Sequence, residues 1–259
     1  MMIHYIYDGT FTGLLTAIAN ALESLEPQPT IVREGYFLPD LFAEPCPVET
    51  DPKIARLLYQ DLAHIFTKPV LQDLYYCFLS EEPGIETVIL EFIRKAQGRR
   101  GNFDQNYADE TVRMIRSASD HVAYEVHRMH GFIRFRKMND GIFYAPIEPD
   151  HNVLALLAPH FAARFADQSW FIHDLRRGRG LYYDLTQCVL VQGVEAKPEA
   201  ISRGAQGLAP GLYEADEFQY QELWDEYFQS VAIAERMNPR AQRQHMPKRY
   251  WKHLVEKVN

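Results

Sequence analysis

Apolar positions along this 259-residue chain switch between strand-like and helical periods, and each change of period marks an element. Residues 3–7 form a short apolar run that ends in the turn-like Asp8-Gly9-Thr10, which predicts a strand. Phe11, Leu14, Leu15, Ile18 and Leu22 then recur at helical spacing. A loop rich in Pro and Gly runs on through Pro47. Asp51-Pro52 reads as a cap with proline in the first turn, and Ile54, Leu57, Leu58, Leu62 and Ile65 predict one buried stripe. Leu71, Leu74, Tyr75 and Phe78 predict a helix after Pro69. Ile85, Val88, Ile89, Phe92, Ile93 and Ala96 predict another, with Pro83 at its start and Gly98 past its end. Beyond the polar loop Arg99-Arg100-Gly101-Asn102, a helical period holds Val112, Ile115, Ser119, Val122, Val126 and Met129.

The centre changes character. Residues 132–137 and 142–147 flank Asn139-Asp140-Gly141 and predict a β-hairpin, since Asp-Gly favours tight turns. Alternation places Phe132, Arg134 and Arg136 on one face, Ile133 and Phe135 on the other. Residues 150–165 read as a helix that Pro159 breaks or kinks. A second hairpin follows, with 170–175 and 181–191 flanking Arg176-Arg177-Gly178-Arg179-Gly180. The predicted fold class is α+β: a central antiparallel β-β-α-β-β sheet unit flanked by N-terminal and C-terminal helices. Residues 192–213 read as a loop. Tyr220, Leu223, Trp224, Tyr227, Phe228 and Val231 predict a strongly amphipathic helix. Near the end, Tyr250, Trp251, Leu254, Val255 and Val258 form an apolar stripe that leaves Arg249, Lys252 and His253 nearer solvent. The expectation is one compact domain, mainly helical over 1–130, sheet-containing over 131–191, and helical again over 214–259.

Composition adds bounds. With 47% apolar and 24% charged residues the chain can fill a core and does not read as disordered. No apolar run approaches the roughly 18–20 residues of a membrane span, and the first residues do not resemble a signal peptide, so a cytoplasmic address is expected. Cys46, Cys77 and Cys188 are odd in number and far apart, which predicts reduced thiols rather than disulfides or a CxxC zinc site. The net charge of −8 is unevenly spread: residues 1–91 carry 14 acids and 4 bases, residues 92–137 carry 5 acids and 10 bases. A basic middle can hold a polyanion locally despite an acidic total.

Absent motifs prune the enzyme classes. There is no GxxxxGK[ST], no GxGxxG, no HExxH, no GxSxG and no deaminase HxE with PCxxC. Three closely spaced cysteines of the kind that hold a radical-SAM cluster are also missing. No cofactor and no metal site is expected.

Three groups of residues remain. In the run 173–184, Arg176, Arg177 and Arg179 at a hairpin tip have the chemistry to grip phosphates, with Tyr182 or Tyr183 stacking on a base; the alternative is a solvated turn with core aromatics. Glu148-Pro149-Asp150-His151-Asn152 offers acids beside an imidazole, yet Asp150 or Asn152 is also an ordinary helix cap. Basic residues interleaved with aromatics make the third group: Arg128, Arg134 and Arg136 in the centre, Arg240, Arg243, Lys248, Arg249 and Lys252 at the end. His151, His173 and Asp174 are the catalytic candidates, if the chain is an enzyme.

Several runs carry a resemblance together. They are 7–11, 125–135 (Glu-Val-His-Arg-Met-His-Gly-Phe-Ile-Arg-Phe), 144–152, 157–161, 172–174, 180–184, 238–240 and 246–251. In these the chain resembles a bacterial family named for DNA metabolism or DNA repair. Members of that family are paired with a DNA-modification or repair radical-SAM protein, and similar domains occur fused to a uracil-DNA glycosylase. The resemblance implies a DNA-binding repair protein, single-stranded or damaged DNA being the expected ligand, acting beside such an enzyme. Two alternatives stay open: a self-sufficient DNA-processing enzyme using His/Asp chemistry, and an interaction adaptor without DNA affinity whose acidic first 91 residues dock the partner.

Overall fold

The computed structural model describes residues 2–24, 27–39, 43–98, 103–194, 213–214, 216–230 and 239–257. The predicted polar loop 99–102 and most of the predicted loop 192–213 lie outside them. Where the sequence predicts one domain, the chain divides into two compact units, 1–123 and 124–259.

In the first unit β1 (Met2–Tyr7) lies between β2 (Thr30–Arg33) and β3 (Ala43–Pro47), both parallel to it. The part that reads as mainly helical therefore holds a three-stranded parallel sheet. Its signal is weak for physical reasons. β2 has only four residues, and β3 carries Pro45 and Pro47, tolerated because β3 is at the sheet edge. α1 (Phe11–Glu23) begins as expected, with Thr10 Oγ1 accepting from the Gly13 amide at 2.9 Å. Asp8 accepts from the Thr10 amide at 2.9 Å and the Thr50 hydroxyl at 2.8 Å. A Cβ on Gly13 would lie 2.2 Å from Asp8 Oδ1, so a larger residue here would displace the Asp8 carboxylate from the clasp.

α2 (Pro52–Ile65) starts at Asp51, whose carboxylate accepts from the Lys53 amide at 2.7 Å. Its buried face is narrower than the predicted stripe. Ala55, Leu58 and Leu62 are buried, while Ile54, Leu57 and Ile65 are exposed. α3 (Lys68–Ser80) and α4 (Ile85–Gln97) follow, and α4 buries Ile85, Ile89, Phe92, Ile93 and Ala96 as the period predicts. α5 (Glu110–Phe132) begins in the first unit and ends in the second.

The second unit is built on five strands in the order β4-β5-β6-β7-β8. β4 (Arg136–Lys137) and β5 (Phe143–Ile147) pair antiparallel around Asp140-Gly141, where Gly141 takes φ +84°. α6 (Leu154–Arg164) carries the chain over to β6 (Trp170–Asp174), which makes β5 and β6 parallel. β7 (Arg179–Tyr183) and β8 (Cys188–Gln192) complete the sheet antiparallel. The sheet is thus mixed and five-stranded, which corrects the antiparallel β-β-α-β-β expectation. The predicted strand 181–191 breaks because Asp184 Oδ1 accepts from the Thr186 and Gln187 amides at 2.9 and 2.8 Å, closing a turn.

Four further differences matter. Residues 133–135 are not strand, so strand alternation does not orient Arg134. Pro159 sits inside α6 without ending it, and Val153 stands at the N-cap with no side-chain bond, so neither Asp150 nor Asn152 caps this helix. In α7 (Glu217–Ser230) the expected apolar face points outward: Tyr220, Leu223, Trp224 and Tyr227 are exposed while Glu217 and Gln221 are buried. After α8 (Pro239–His245) and a 3-10 turn over Lys248–His253, Tyr250 and Leu254 are buried as predicted, but so is His253. All three cysteines are free. Among the described residues no helix is long and apolar enough to cross a membrane.

Candidate functional site

The arginines singled out by the sequence do not form one open cluster. Arg136 is 1% exposed and so lies beyond the reach of a solvent-borne phosphate. Arg134 is held by Glu256, with Nη2 to Oε1 at 2.6 Å and Nε to Oε2 at 3.3 Å. This guanidinium and the Trp224 indole keep the Glu256 carboxyl below its ordinary range despite burial. Arg177 donates to Asp174 Oδ2 at 3.0 Å, to Pro149 O at 3.2 Å and to Asp150 O at 2.9 Å. It pins the β6–β7 turn to the segment before α6. Arg176 donates to Asp150 O at 3.2 Å and keeps an exposed side chain. Arg249 meets Asp150 Oδ2 at 2.7 Å and the Tyr250 hydroxyl at 3.0 Å. Lys252 pairs with Glu148.

Glu125 organises this charged region, and the sequence reading passed over it. It is 2% exposed and accepts from the Asp150 amide at 2.8 Å, the His151 amide at 2.7 Å and the Tyr250 hydroxyl at 2.6 Å. Of the remaining basic candidates, Arg240, Arg243 and Lys248 are exposed, and Arg128 and Arg179 are half-buried. Tyr182 is half-buried, whereas Tyr183 is buried, stacked on Trp170 at 5.3 Å with its hydroxyl donating to Leu185 O at 3.0 Å. Tyr183 is a core residue.

The catalytic candidates fare similarly. His173 is 2% exposed, its Nδ1 3.0 Å from the Tyr144 hydroxyl and its Nε2 3.3 Å from Val194 O. Burial lowers its pKa. Asp174 is fully buried and accepts from the Arg176 and Arg177 amides at 3.0 and 3.2 Å. Burial raises its pKa, against the pull of Arg177. As neighbours on one strand the two side chains leave opposite faces. Both serve as turn and strand fixtures, closed to a substrate. His151 is half-buried, held at its amide by Glu125. Among the described residues no three His, Cys, Asp or Glu side chains gather as a metal ion requires.

The concave feature of this unit lies elsewhere. A cleft of about 860 Å³ opens between the end of α5, α6, the β4–β5 edge and α7. His130, in the last turn of α5, stacks on His160 of α6, with ring centroids 4.0 Å apart and planes 15° from parallel. Phe135 meets Phe161 and Phe165 edge-on at 5.6 and 5.3 Å, and Trp170 backs them. Burial, with His160 and His127 adding to it, lowers the His130 pKa. Opposite, Glu217 accepts from the Lys137 amide at 2.9 Å and from Gln221 Nε2 at 2.9 Å. Arg164 stands exposed at the lining, its guanidinium 5.7 Å from the Phe165 ring.

The cleft residues His130, His160, Trp170 and Gln221 were not among the sequence candidates. His130 and His160 do fall in the runs that carry the resemblance, but a separation of 30 positions hides a stacked pair. No curated protein and no solved structure matches the chain. A family model does, over residues 83–256, which takes in every cleft residue. By that match the chain belongs to the DUF4130 family, described as a domain of unknown function.

Proposed function

We propose that this protein is a DNA-repair accessory that binds single-stranded or damaged DNA, taking an unstacked base into the aromatic cleft, and acts beside a radical-SAM repair enzyme or a uracil-DNA glycosylase. The observation that carries the reading is the cleft itself. Its volume, about 860 Å³, falls in the range of roughly 300–1,000 Å³ of small-molecule sites. Its walls present flat rings, on which a base stacks for about 1–3 kcal/mol. The motif resemblance supplies the partner class. The buried or paired arginines no longer support a broad phosphate grip. Binding therefore rests on stacking plus a few phosphate contacts, for which the exposed Arg164 at the cleft lining is the first candidate.

Fluorescence anisotropy against single-stranded and lesion-bearing DNA tests this. The expected result is binding whose log–log salt slope corresponds to about one to three phosphates, near −0.7 to −2 for single strands. No binding at low salt, or binding indifferent to Trp224→Ala and Arg164→Ala together, overturns it.

The exposed Ile54, Leu57 and Ile65 on α2 favour a second role for the first unit, as a docking face for the partner enzyme. Co-purification with that enzyme, lost on Leu57→Asp, is the corresponding result.

A further inference from the structure

We infer that the cleft reads the hydrogen-bonding edge of a neutral heteroaromatic ring, a nucleobase, through His130, Trp170 and Gln221. The inference rests on the cleft reading above and adds which groups do the reading.

Three buried side-chain atoms on residues lining this cleft have no hydrogen-bond partner: His130 Nε2, Trp170 Nε1 and Gln221 Oε1. Buried polar atoms are nearly always paired, and each orphan costs about 1–3 kcal/mol. They are closed to bulk solvent, so water at large does not satisfy them. Their gathering around one cavity points to a ligand that does.

The chemistry of the three atoms is selective. Trp170 Nε1–H only donates, and Gln221 Oε1, as an amide oxygen, only accepts, while one Nε2 hydrogen goes to Glu217 at 2.9 Å. The His130 Nε2 atom offers a donor or an acceptor according to tautomer. A partner with both donors and acceptors on one planar edge meets this set. An isolated anion is a weaker match: of the cations at the lining, Lys137 Nζ is committed to Glu214 at 2.7 Å and Arg134 to Glu256 at 2.6 Å, which leaves the exposed Arg164 alone to meet a phosphate. A cation is not selected either, since both Glu217 oxygens already accept hydrogen bonds. The stacked His130–His160 pair and Phe135 supply the flat faces such a ring requires. All three atoms are shielded from solvent, so ligand entry requires the Gln221 amide and the His130 ring to turn and the wall over Trp170 to open.

Calorimetric titration of the full chain with the four common deoxynucleosides, and separately with inorganic phosphate, tests this. Trp170 and Trp224 also line the cleft and report binding by fluorescence. At least one deoxynucleoside is expected to bind in the micromolar to low millimolar range, with phosphate alone at least tenfold weaker. His130→Phe keeps the stack and removes the orphan atom. It is expected to weaken nucleoside binding at least tenfold while leaving the melting temperature equal or higher, the opposite of what a structural role predicts. Gln221→Leu is a second variant with the same expected loss of affinity. No nucleoside binding, phosphate binding as tightly as nucleoside, or an unchanged affinity in both variants overturns the inference. Nucleosides that bind while DNA does not would uphold the base site and remove the DNA reading. DNA binding that both variants leave intact would do the reverse.

Discussion

Two polar regions of the second unit stand in contrast. Around Asp150 the charges close on themselves: Glu125 takes two amides and a hydroxyl, Arg177 ties one turn to another, and Arg249 lands on Asp150. Around His130 the polar atoms are left over. The first region holds the residues with the most suggestive chemistry by type, and it spends them on structure. The second holds an unremarked histidine pair and a glutamine, and it keeps their hydrogen-bonding capacity in reserve. Functional potential here tracks what a group lacks, more than what it is.

The contrast can be broken most forcefully at Glu125. Glu125→Ala strands two amides and the Tyr250 hydroxyl in the interior, with an expected loss of about 3–5 kcal/mol in chemical unfolding. A loss near zero would mean the charged region is not the brace described. The next effect is read by pH. Burial lowers the His253 pKa to about 4, so the unfolded state takes up a proton first as pH falls. Stability is then complete above about 6.5, the unfolded value, and declines between 6.5 and about 4. At about 1.4 kcal/mol per unit the loss reaches roughly 3 kcal/mol, and His253→Gln should flatten that part of the profile.

His130 has the same sign and a smaller reach. Its lowered pKa predicts that His130→Phe gains on the parent protein as pH drops below about 6.5, seen as a melting-temperature difference that widens in the variant's favour. The smallest effect belongs to Arg176. Its exposed side chain and surface ion pair with Asp150 predict a change within about 0.5 kcal/mol for Arg176→Ala. Arg177→Ala, by contrast, leaves buried Asp174 without its cation and should cost several times more.

Some of this was legible in the residues and some was not. The α4 stripe, the Asp51-Pro52 start of α2 and the Asp140-Gly141 turn follow from local rules and stand as read. β3 escaped notice because two prolines argue against a strand unless its edge position is known. α7 misled because its aromatics look like a core face, yet the buried side carries Glu217 and Gln221, which bond each other and the β4 backbone. The central arginines misled for a related reason. Spacing reveals which side chains share a face only after the segment is known to be strand, and 133–135 is not. The cleft could not be read at all, since its members come from positions 130–224 and meet only in three dimensions.

Gly180 shows how tightly the β6–β7 pairing is keyed. A Cβ at this position would lie 2.0 Å from Phe171 Cζ, so the phenyl ring occupies the room that a side chain would need. Sliding one strand past the other by a single step would bring the ring against Arg179 or Leu181, and alternation would turn the other side chains to the wrong layer. The hairpin thus proofreads its own alignment through steric exclusion. Any larger residue at position 180 has to push that ring aside, so the hairpin keeps its tightest fit with glycine.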